Sequence, residues 1–294
     1  MKRKDFLRSL LFAGTGIGIM QLNTLNKWFS SSENTGKMPV LFLGHGSPMN
    51  AIEENDFVRG FRQVGKTLEK PKAILCISAH WETRGTYVTA MESPRTIHDF
   101  GGFPQELFEV QYPAPGAPDL AKEVGQMVQK TEVHMDHQWG LDHGAWSVIK
   151  HLYPDADVPV IQMSLDRNKG PMYHYELAKE LEALRNKGVL IIGSGNMVHN
   201  LRLVAWDKLN EPEYGYDWAI EAHEKMIHYI QDGNHSALVD YQKQGRPFQM
   251  AIPTPEHYLP LLYTLGLKSE KEDIQLFNDK PVGGSLTMTS LKIG

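Results

Sequence analysis

Four histidines stand where the chain changes direction, and imidazole nitrogens at such points are suited to binding a metal ion. His45 follows the apolar run 41–44 and precedes Gly46-Ser47-Pro48, which cannot continue a strand. His80 and His199 follow apolar runs in the same way, and His257 lies in the proline-containing turn 253–258, which enters a helix. Because open α/β sheets place their ligands at the carboxyl ends of strands, we predict a metal centre assembled by the fold.

The ordinary role of a histidine has to be weighed against this prediction. A single histidine is more often a surface or core residue than a ligand, and most of the 13 histidines fit that role. His45 and His80 differ because each ends an apolar strand beside small residues that leave room for a ligand. The dispersed spacing is unlike a zinc finger and favours a catalytic site. Two alternatives remain open, namely a zinc hydrolase that activates water and a metal-binding protein without catalysis.

Other potentially reactive residues give weaker signals. Ser47 and Ser194 do not lie in a Gly-x-Ser-x-Gly elbow, and Gly193-Ser194-Gly195 lacks the third glycine and the acidic residue of a dinucleotide loop. Cys76 is the single cysteine, so no intramolecular disulfide forms, and its position in mid-strand predicts a buried, inert thiol.

The first 36 residues read as a leader and a linker outside the fold. The basic segment 2–8 and the apolar run 9–20 have the layout of an export signal. The order of residues 3–8 is similar to a twin-arginine signal, with Lys4 in place of the second arginine. We therefore predict a periplasmic or inner-membrane-anchored protein, with membrane association through this leader alone. If the leader is not a working signal, the protein is cytoplasmic.

Strand and helix patterns alternate from residue 38 onward, which predicts one α/β domain over residues 37–294. We expect three layers, with helices flanking a mostly parallel central sheet. Predicted strands cover 39–44, 72–79, 86–91, 133–135, 158–164, 188–193 and 285–292; predicted helices cover 56–70, 118–130, 146–152, 173–187, 216–232, 236–244 and 257–265. The long Gly-, Pro- and aromatic-rich loop 93–118 is of a kind that is usually functional. A net charge of −5 without a basic tract argues against a nucleic-acid partner.

Five motifs occur together and in order: Gly44-His45-Gly46-Ser47-Pro48-Met49-Asn50, Ser78-Ala79-His80-Trp81, Leu141-Asp142-His143-Gly144-Ala145-Trp146, Gly193-Ser194-Gly195-Asn196-Met197-Val198-His199-Asn200 and Pro255-Glu256-His257-Tyr258-Leu259-Pro260-Leu261. In these motifs the chain resembles the class III extradiol ring-cleaving dioxygenases, and within them the single-chain branch called 4,5-DOPA dioxygenase extradiol. The resemblance covers roughly residues 38–294. The leader is a departure, since the family is usually cytoplasmic.

The resemblance implies roles for five histidines. His45 and His80 correspond to metal ligands, and His257 corresponds to the third ligand. Some class III relatives use a glutamate as the third ligand, and Glu256 is adjacent to His257. His199 resembles the catalytic acid/base, and His143 resembles a histidine that lines the substrate and oxygen pocket.

The implied reaction is the insertion of O2 into a DOPA-like catechol, which opens the ring to a muconic semialdehyde. The implied cofactor is one divalent metal ion per chain, Fe(II) for activity or Zn(II) as isolated. The implied partners are therefore a small aromatic diol and O2. The loop 100–115 is expected to be a wall or lid for a flat substrate.

Overall fold

The computed structural model describes residues 36–209 and 211–294, so almost all of the predicted leader lies outside the described residues. The strands are β1 (Val40–Gly44), β2 (Ala73–Thr83), β3 (Thr86–Thr89), β4 (Val133–Asp136), β5 (Val160–Asp166), β6 (Val189–Gly195), β7 (Ile274–Phe277), β8 (Pro281–Val282), β9 (Leu286–Thr287) and β10 (Ser290–Ile293). Eight of them form one sheet in the order β4-β3-β5-β2-β6-β1-β10-β7, and β8 pairs with β9 separately.

The α-helices are α1 (Asp56–Thr67), α2 (Gln105–Phe108), α3 (Pro118–Met127), α4 (His143–Leu152), α5 (Pro171–Glu180), α6 (Glu182–Arg185), α7 (Asp217–Gln231), α8 (His235–Val239), α9 (Arg246–Ala251) and α10 (Leu259–Gly266). Short 3-10 turns cover Pro48–Ala51, Leu201–Leu203, Trp206–Lys208 and Tyr241–Lys243. No helix within the described ranges is long and apolar enough to span a membrane.

The middle of the large sheet is parallel. β5, β2, β6 and β1 run in the same direction, whereas β3 is antiparallel to β5, and β10 is antiparallel to both β1 and β7. β1, β5 and β6 are buried along their whole lengths, as expected for central strands covered on both faces. The predicted single α/β domain with a mostly parallel sheet is confirmed.

Consecutive residues of β6 contact helices on opposite sides of the sheet. Ser194 Oγ donates a hydrogen bond to the carbonyl of Gly144 in α4. The neighbouring Gly193 lies so close to α10 that a Cβ there would stand 2.4 Å from the carbonyl oxygen of Pro260. Because side chains alternate along a strand, α4 and α10 contact the two different faces.

Several predicted boundaries are wrong. The predicted helix 173–187 is divided at Leu181 into α5 and α6. The predicted strand 285–292 is divided into β9 and β10, and the predicted helix 236–244 is the short α8 followed by a 3-10 turn. The predicted helix 146–152 begins earlier, at His143, because the side chain of Asp142 accepts a hydrogen bond from the backbone N–H of Ala145 and caps the first turn.

Candidate metal centre

Three histidine side chains converge beyond the carboxyl end of the parallel strands. They are His45, directly after β1, His80, in the last part of β2, and His257, two residues before α10. Their ring centroids are 5.0 Å apart for His45 and His80, 5.2 Å for His45 and His257, and 5.0 Å for His80 and His257. Each can offer a ligand nitrogen, and these three atoms lie within 4.8 Å of one another.

The spacing of the nitrogens is suited to a shared ion. Nε2 of His80 lies 3.1 Å from Nε2 of His45. Two ligands of a tetrahedral ion with metal–nitrogen bonds of about 2.05 Å are about 3.3 Å apart. The two histidines therefore already have nearly the separation that a bound ion requires.

The turn that carries His45 depends on glycines. A Cβ on Gly44 would stand 2.5 Å from the carbonyl oxygen of Met288, so only glycine permits this approach. Gly46 has a φ of 61°, in the left-handed region that favours glycine. Asn50 Nδ2 donates a hydrogen bond to the carbonyl of His45 at 3.0 Å and closes the turn.

His80 is placed differently from its prediction. β2 does not end at Ala79 but continues to Thr83, and its pairing with β5 shifts register between Ile77 and Glu82. His80 therefore lies inside an irregular strand. Such irregularities redirect side chains, and here one directs His80 toward His45.

His257 is anchored on the end of β6. The backbone N–H of Asn196 donates to the carbonyl of His257 at 2.8 Å. A Cβ on Gly195 would stand 2.1 Å from the same oxygen, so the glycine is needed for this contact. The Gly-Ser-Gly-Asn segment is therefore a docking surface for the turn that carries His257.

The hydrogen bonds on the sides of the rings that face away from the site show which ring nitrogen carries the proton. Ser194 Oγ donates to Gly144 and therefore accepts from Nδ1 of His45, 3.0 Å away. Nδ1 of His257 lies 3.1 Å from Oε1 of Glu256 and donates to this carboxylate. Both rings therefore have Nε2 free as a ligand atom, the usual arrangement around a bound metal. Glu256, the alternative third ligand, contacts the outer side of His257.

Burial keeps these histidines neutral. It lowers the pKa of His45 and His257 well below their usual range, and the neighbouring histidines lower it further. Burial, assisted by His143, also lowers the pKa of His80 to about 3. A neutral imidazole has a lone pair to share, so the group is ready to bind a cation at neutral pH.

His199 lies beside the three converging histidines. Its ring is stacked on that of His257, with centroids 3.5 Å apart and planes 8° apart. Its potential ligand nitrogen groups with Glu256 and His257. Burial lowers the pKa of His199 to about 4, against a smaller raising effect of Glu256.

His143 lies on the other side of His80, with ring centroids 3.9 Å apart. Its main polar neighbour is Asp99, whose Oδ2 lies 3.0 Å from Nδ1 of His143. Burial raises the pKa of Asp99, but the contacts with His143 outweigh it and hold the pKa below its usual range. Asp99 was not among the site residues predicted from the sequence. The sequence feature that could have indicated its role was its position in the loop 93–118, which was predicted to be functional.

A buried carboxylate supports the start of α4. Oδ1 of Asp142 accepts from Ser78 Oγ at 2.6 Å, and Oδ2 accepts from Gln162 Nε2 at 2.7 Å. Burial raises the pKa of Asp142. The network joins β2 and β5 to the residue that precedes His143, so it fixes His143 relative to His80.

The structure therefore brings together all five histidines for which roles were expected. Their individual roles stay predictions. A mostly parallel α/β sheet with neutral histidines grouped beyond its strand ends defines a metal-dependent enzyme.

Comparison with known proteins identifies the family. The family model described as the catalytic LigB subunit of aromatic ring-opening dioxygenase matches residues 39–285. The chain belongs to this family, and it is an extradiol ring-cleaving dioxygenase that acts on an aromatic substrate and O2 and uses a metal ion.

Relatives match over most of the chain. It is 46% identical over 263 residues to 4,5-DOPA dioxygenase extradiol of Escherichia coli K12, which covers 88% of this chain and 95% of the relative. It is 35% identical to the protein of that name from Mirabilis jalapa, over 81% of this chain and 89% of the relative. A crystal structure of an uncharacterized Escherichia coli K12 protein matches with a TM-score of 0.76 and 41% identity, over 87% of this chain and 100% of that one.

Proposed function

We propose that this protein cleaves the ring of a DOPA-like catechol beside its two hydroxyl groups and releases a muconic semialdehyde. The observation that carries the proposal is the convergence of His45, His80 and His257, with His143 and His199 beside them. The relatives named 4,5-DOPA dioxygenase extradiol support the choice of substrate class.

His45, His80 and His257 would hold one divalent ion, and their outer hydrogen bonds point to Nε2 as the ligand atom for His45 and His257. When bound, the ion supplies Lewis-acid and redox chemistry toward the diol and O2. Imidazole ligands suit both Fe(II), for the active enzyme, and Zn(II), for the protein as isolated. Zinc stands above Fe(II) in the general order of affinity.

His199 is the acid/base in this proposal. With a pKa of about 4 it is neutral at pH 7 and has a nitrogen lone pair for a proton. It takes the proton of a substrate hydroxyl group, and the neighbouring Glu256 stabilises the resulting imidazolium. His199 lies beside His257 and therefore next to the metal centre. It is not one of the three histidines whose ligand nitrogens converge.

Phe100 forms a wall for a flat substrate. Its ring meets His143 edge to face, with centroids 5.5 Å apart, and Phe103 meets Phe100 in the same way. The far end of the loop 100–115 is fixed, since Tyr112 is buried and its hydroxyl donates to the carbonyl of Tyr153 at 2.8 Å. These contacts support a wall more than a lid.

Anaerobic reconstitution with Fe(II), followed by addition of air and a panel of catechols, tests the function. We expect a yellow ring-opened product and the uptake of one O2 for each catechol consumed. Resorcinol, whose hydroxyl groups are not adjacent, is the matched control substrate and should give no product. The His45→Ala, His80→Ala double variant is the matched protein control.

Two outcomes would overturn the proposal. The absence of O2 uptake with every catechol at full Fe(II) occupancy would remove ring cleavage as the function. Ester or amide hydrolysis by the Zn(II) form, abolished in the double variant, would instead support the zinc-hydrolase alternative.

Three further features belong to the proposal. The three-layer arrangement is supported by the contacts of α4 and α10 with opposite faces of the sheet. Residues 37–294 form the catalytic domain, which agrees with the match to residues 39–285. Residues 1–36 are a leader that directs the protein to the periplasm or anchors it in the inner membrane.

A further inference from the structure

Asp99 lies beside the metal centre, and both of its carboxylate oxygens contact His143. Oδ1 accepts a hydrogen bond from the backbone N–H of His143 at 2.9 Å. Oδ2 lies 3.0 Å from Nδ1 of the same residue's ring. Oδ2 is also 3.6 Å from Nδ1 of His80, which is beyond hydrogen-bond distance. The close partner of the carboxylate is therefore His143.

This contact selects one tautomer of His143. Nδ1 has no partner aligned as a hydrogen bond, but an ionised carboxylate oxygen 3.0 Å away repels a lone pair on Nδ1 and favours a proton there. In the neutral ring of this tautomer, the lone pair lies on Nε2. The ring lies against His80, with centroids 3.9 Å apart, so it lies beside the ring of a proposed metal ligand.

The backbone holds Asp99 in place relative to His143. Three hydrogen bonds join the segment before Asp99 to residues on both sides of His143: Leu141 N–H to Arg95 O at 2.9 Å, Ile97 N–H to Leu141 O at 2.7 Å, and Trp146 Nε1–H to Ile97 O at 2.8 Å. These bonds therefore fix the backbone segments that carry Asp99 and His143 relative to each other.

A role in capping α4 does not account for the whole arrangement. Asp142 already caps this helix, since its Oδ1 accepts from the backbone N–H of Ala145 at 3.1 Å. Oδ1 of Asp99 adds a second capping contact at His143. Oδ2 of Asp99, in contrast, faces the imidazole and contributes nothing to the helix.

We infer that Asp99 is a positioning residue for ring cleavage: it holds His143 as the Nδ1–H tautomer, so that Nε2 accepts a hydrogen bond from a substrate hydroxyl group. The inference rests on the proposed function, in which His143 lines the substrate pocket. An Asp–His pair that sets the tautomer of a histidine is an established device in enzymes.

The Asp99→Asn variant tests this inference. Asparagine retains an oxygen for the backbone N–H of His143 but replaces Oδ2 with an amide that donates. The ring should then change to the Nε2–H tautomer. Long-range ¹H–¹⁵N correlation spectra of the full-length protein with Zn(II) present report the tautomer, and the His143→Gln variant assigns the signals. We expect Nδ1–H in the wild type and Nε2–H in Asp99→Asn.

Activity provides a second measurement. We expect kcat/KM of the Fe(II) enzyme to fall on the order of 10- to 100-fold in Asp99→Asn, within the range for acid–base groups. Adding His143→Gln to Asp99→Asn should cause little further loss, because both changes remove the same hydrogen bond. Asp136→Asn is the matched control. Asp136 likewise accepts backbone N–H groups, in its case from Gln138 and Trp139, so this variant should retain the wild-type tautomer and activity.

A wild-type His143 in the Nε2–H tautomer, or an Asp99→Asn variant that retains Nδ1–H, would overturn the inference. The wild-type spectrum is decisive even if Asp99→Asn fails to fold. If the tautomer changes as expected but the wild type consumes no O2, the proposed function fails and the assignment of the Asp99–His143 pair stands.

Discussion

The rings of His199 and His257 are stacked, with centroids 3.5 Å apart and planes 8° apart, yet they have different partners. His257 groups with His45 and His80, whereas His199 groups with Glu256 and His257. Two imidazoles in direct contact are thus arranged for different tasks, and separate variants should distinguish them.

His257→Ala should lose the metal and the activity together, since it removes one of three ligands. His199→Ala should retain most of the metal while turnover falls on the order of 100-fold, because it removes a proton acceptor. Metal analysis and kcat, measured on the same samples, test both statements. If His199→Ala loses the ion as completely as His257→Ala, this division of roles is wrong.

His45→Ala and His80→Ala should each abolish metal binding without unfolding the domain. The residues that precede them in β1 and β2 are buried and, apart from Ser78, not polar, and they remain unchanged in both variants. Metal titration measures the first effect and circular dichroism the second. Full metal occupancy in the double variant would exclude these ligands.

Gly144→Ala should weaken metal binding through His80. A Cβ at this position would stand 2.8 Å from Cδ2 of His80 and 2.6 Å from Oγ of Ser78, so the ring must move. We expect at least a tenfold loss in metal affinity with the fold retained. Gly170→Ala is the control, because a Cβ there would meet nothing within 4 Å. Equal affinities in the two variants would contradict the prediction.

The stability of the metal-free protein should fall as the pH is lowered from about 6.5 to 4, in part because of His174. Burial lowers the pKa of His174 to about 4, so the unfolded chain takes up a proton in this range and the folded chain does not. Protonation therefore favours unfolding, by an amount on the order of 3 kcal/mol at the acid end.

Replacing His174 with Gln should reduce the slope of unfolding free energy against pH by about 1.4 kcal/mol per pH unit in this range. Urea titrations at several pH values measure the slope. His228→Gln is the control, since the His228 side chain is 67% exposed. An unchanged slope in His174→Gln would disprove the assignment.

The leader should direct the chain to the periplasm or the inner membrane. Fractionation of the native cell, with detection of the catalytic domain, tests the prediction. A chain without residues 1–36 should remain in the cytoplasm and retain its ring-cleavage activity. Recovery of the full-length protein wholly in the cytoplasm would show that the leader is not a working signal.

The sequence predicts the central sheet well because its strands are local apolar runs that end in glycine or small residues. β1 and β6 were therefore located within a residue or two, and with them the turn that carries His45. β7 was missed because Ile274–Phe277 is short and only partly buried, and it becomes a strand through its pairing with β10.

Asp99 illustrates why part of the site escaped prediction. Its partner His143 is 44 positions away in the sequence, and the two meet because Leu141 pairs with the backbone of Arg95 and Ile97. No local pattern encodes that pairing. The sequence pattern included His257 among four candidate histidines, but its role as third ligand came only from the family resemblance, because its turn becomes part of the site by packing on Gly195.

The position of β10 affects when the large sheet can form during synthesis. This strand is formed by Ser290–Ile293, at the end of the chain, yet it lies between β1 and β7. During synthesis, β1 therefore has one unpaired edge until residues 290–293 have left the ribosome. A nascent chain with an open edge is exposed to pairing with other chains. The sheet therefore cannot be completed before residues 290–293 have been made, and a chain cut before residue 290 could not close it.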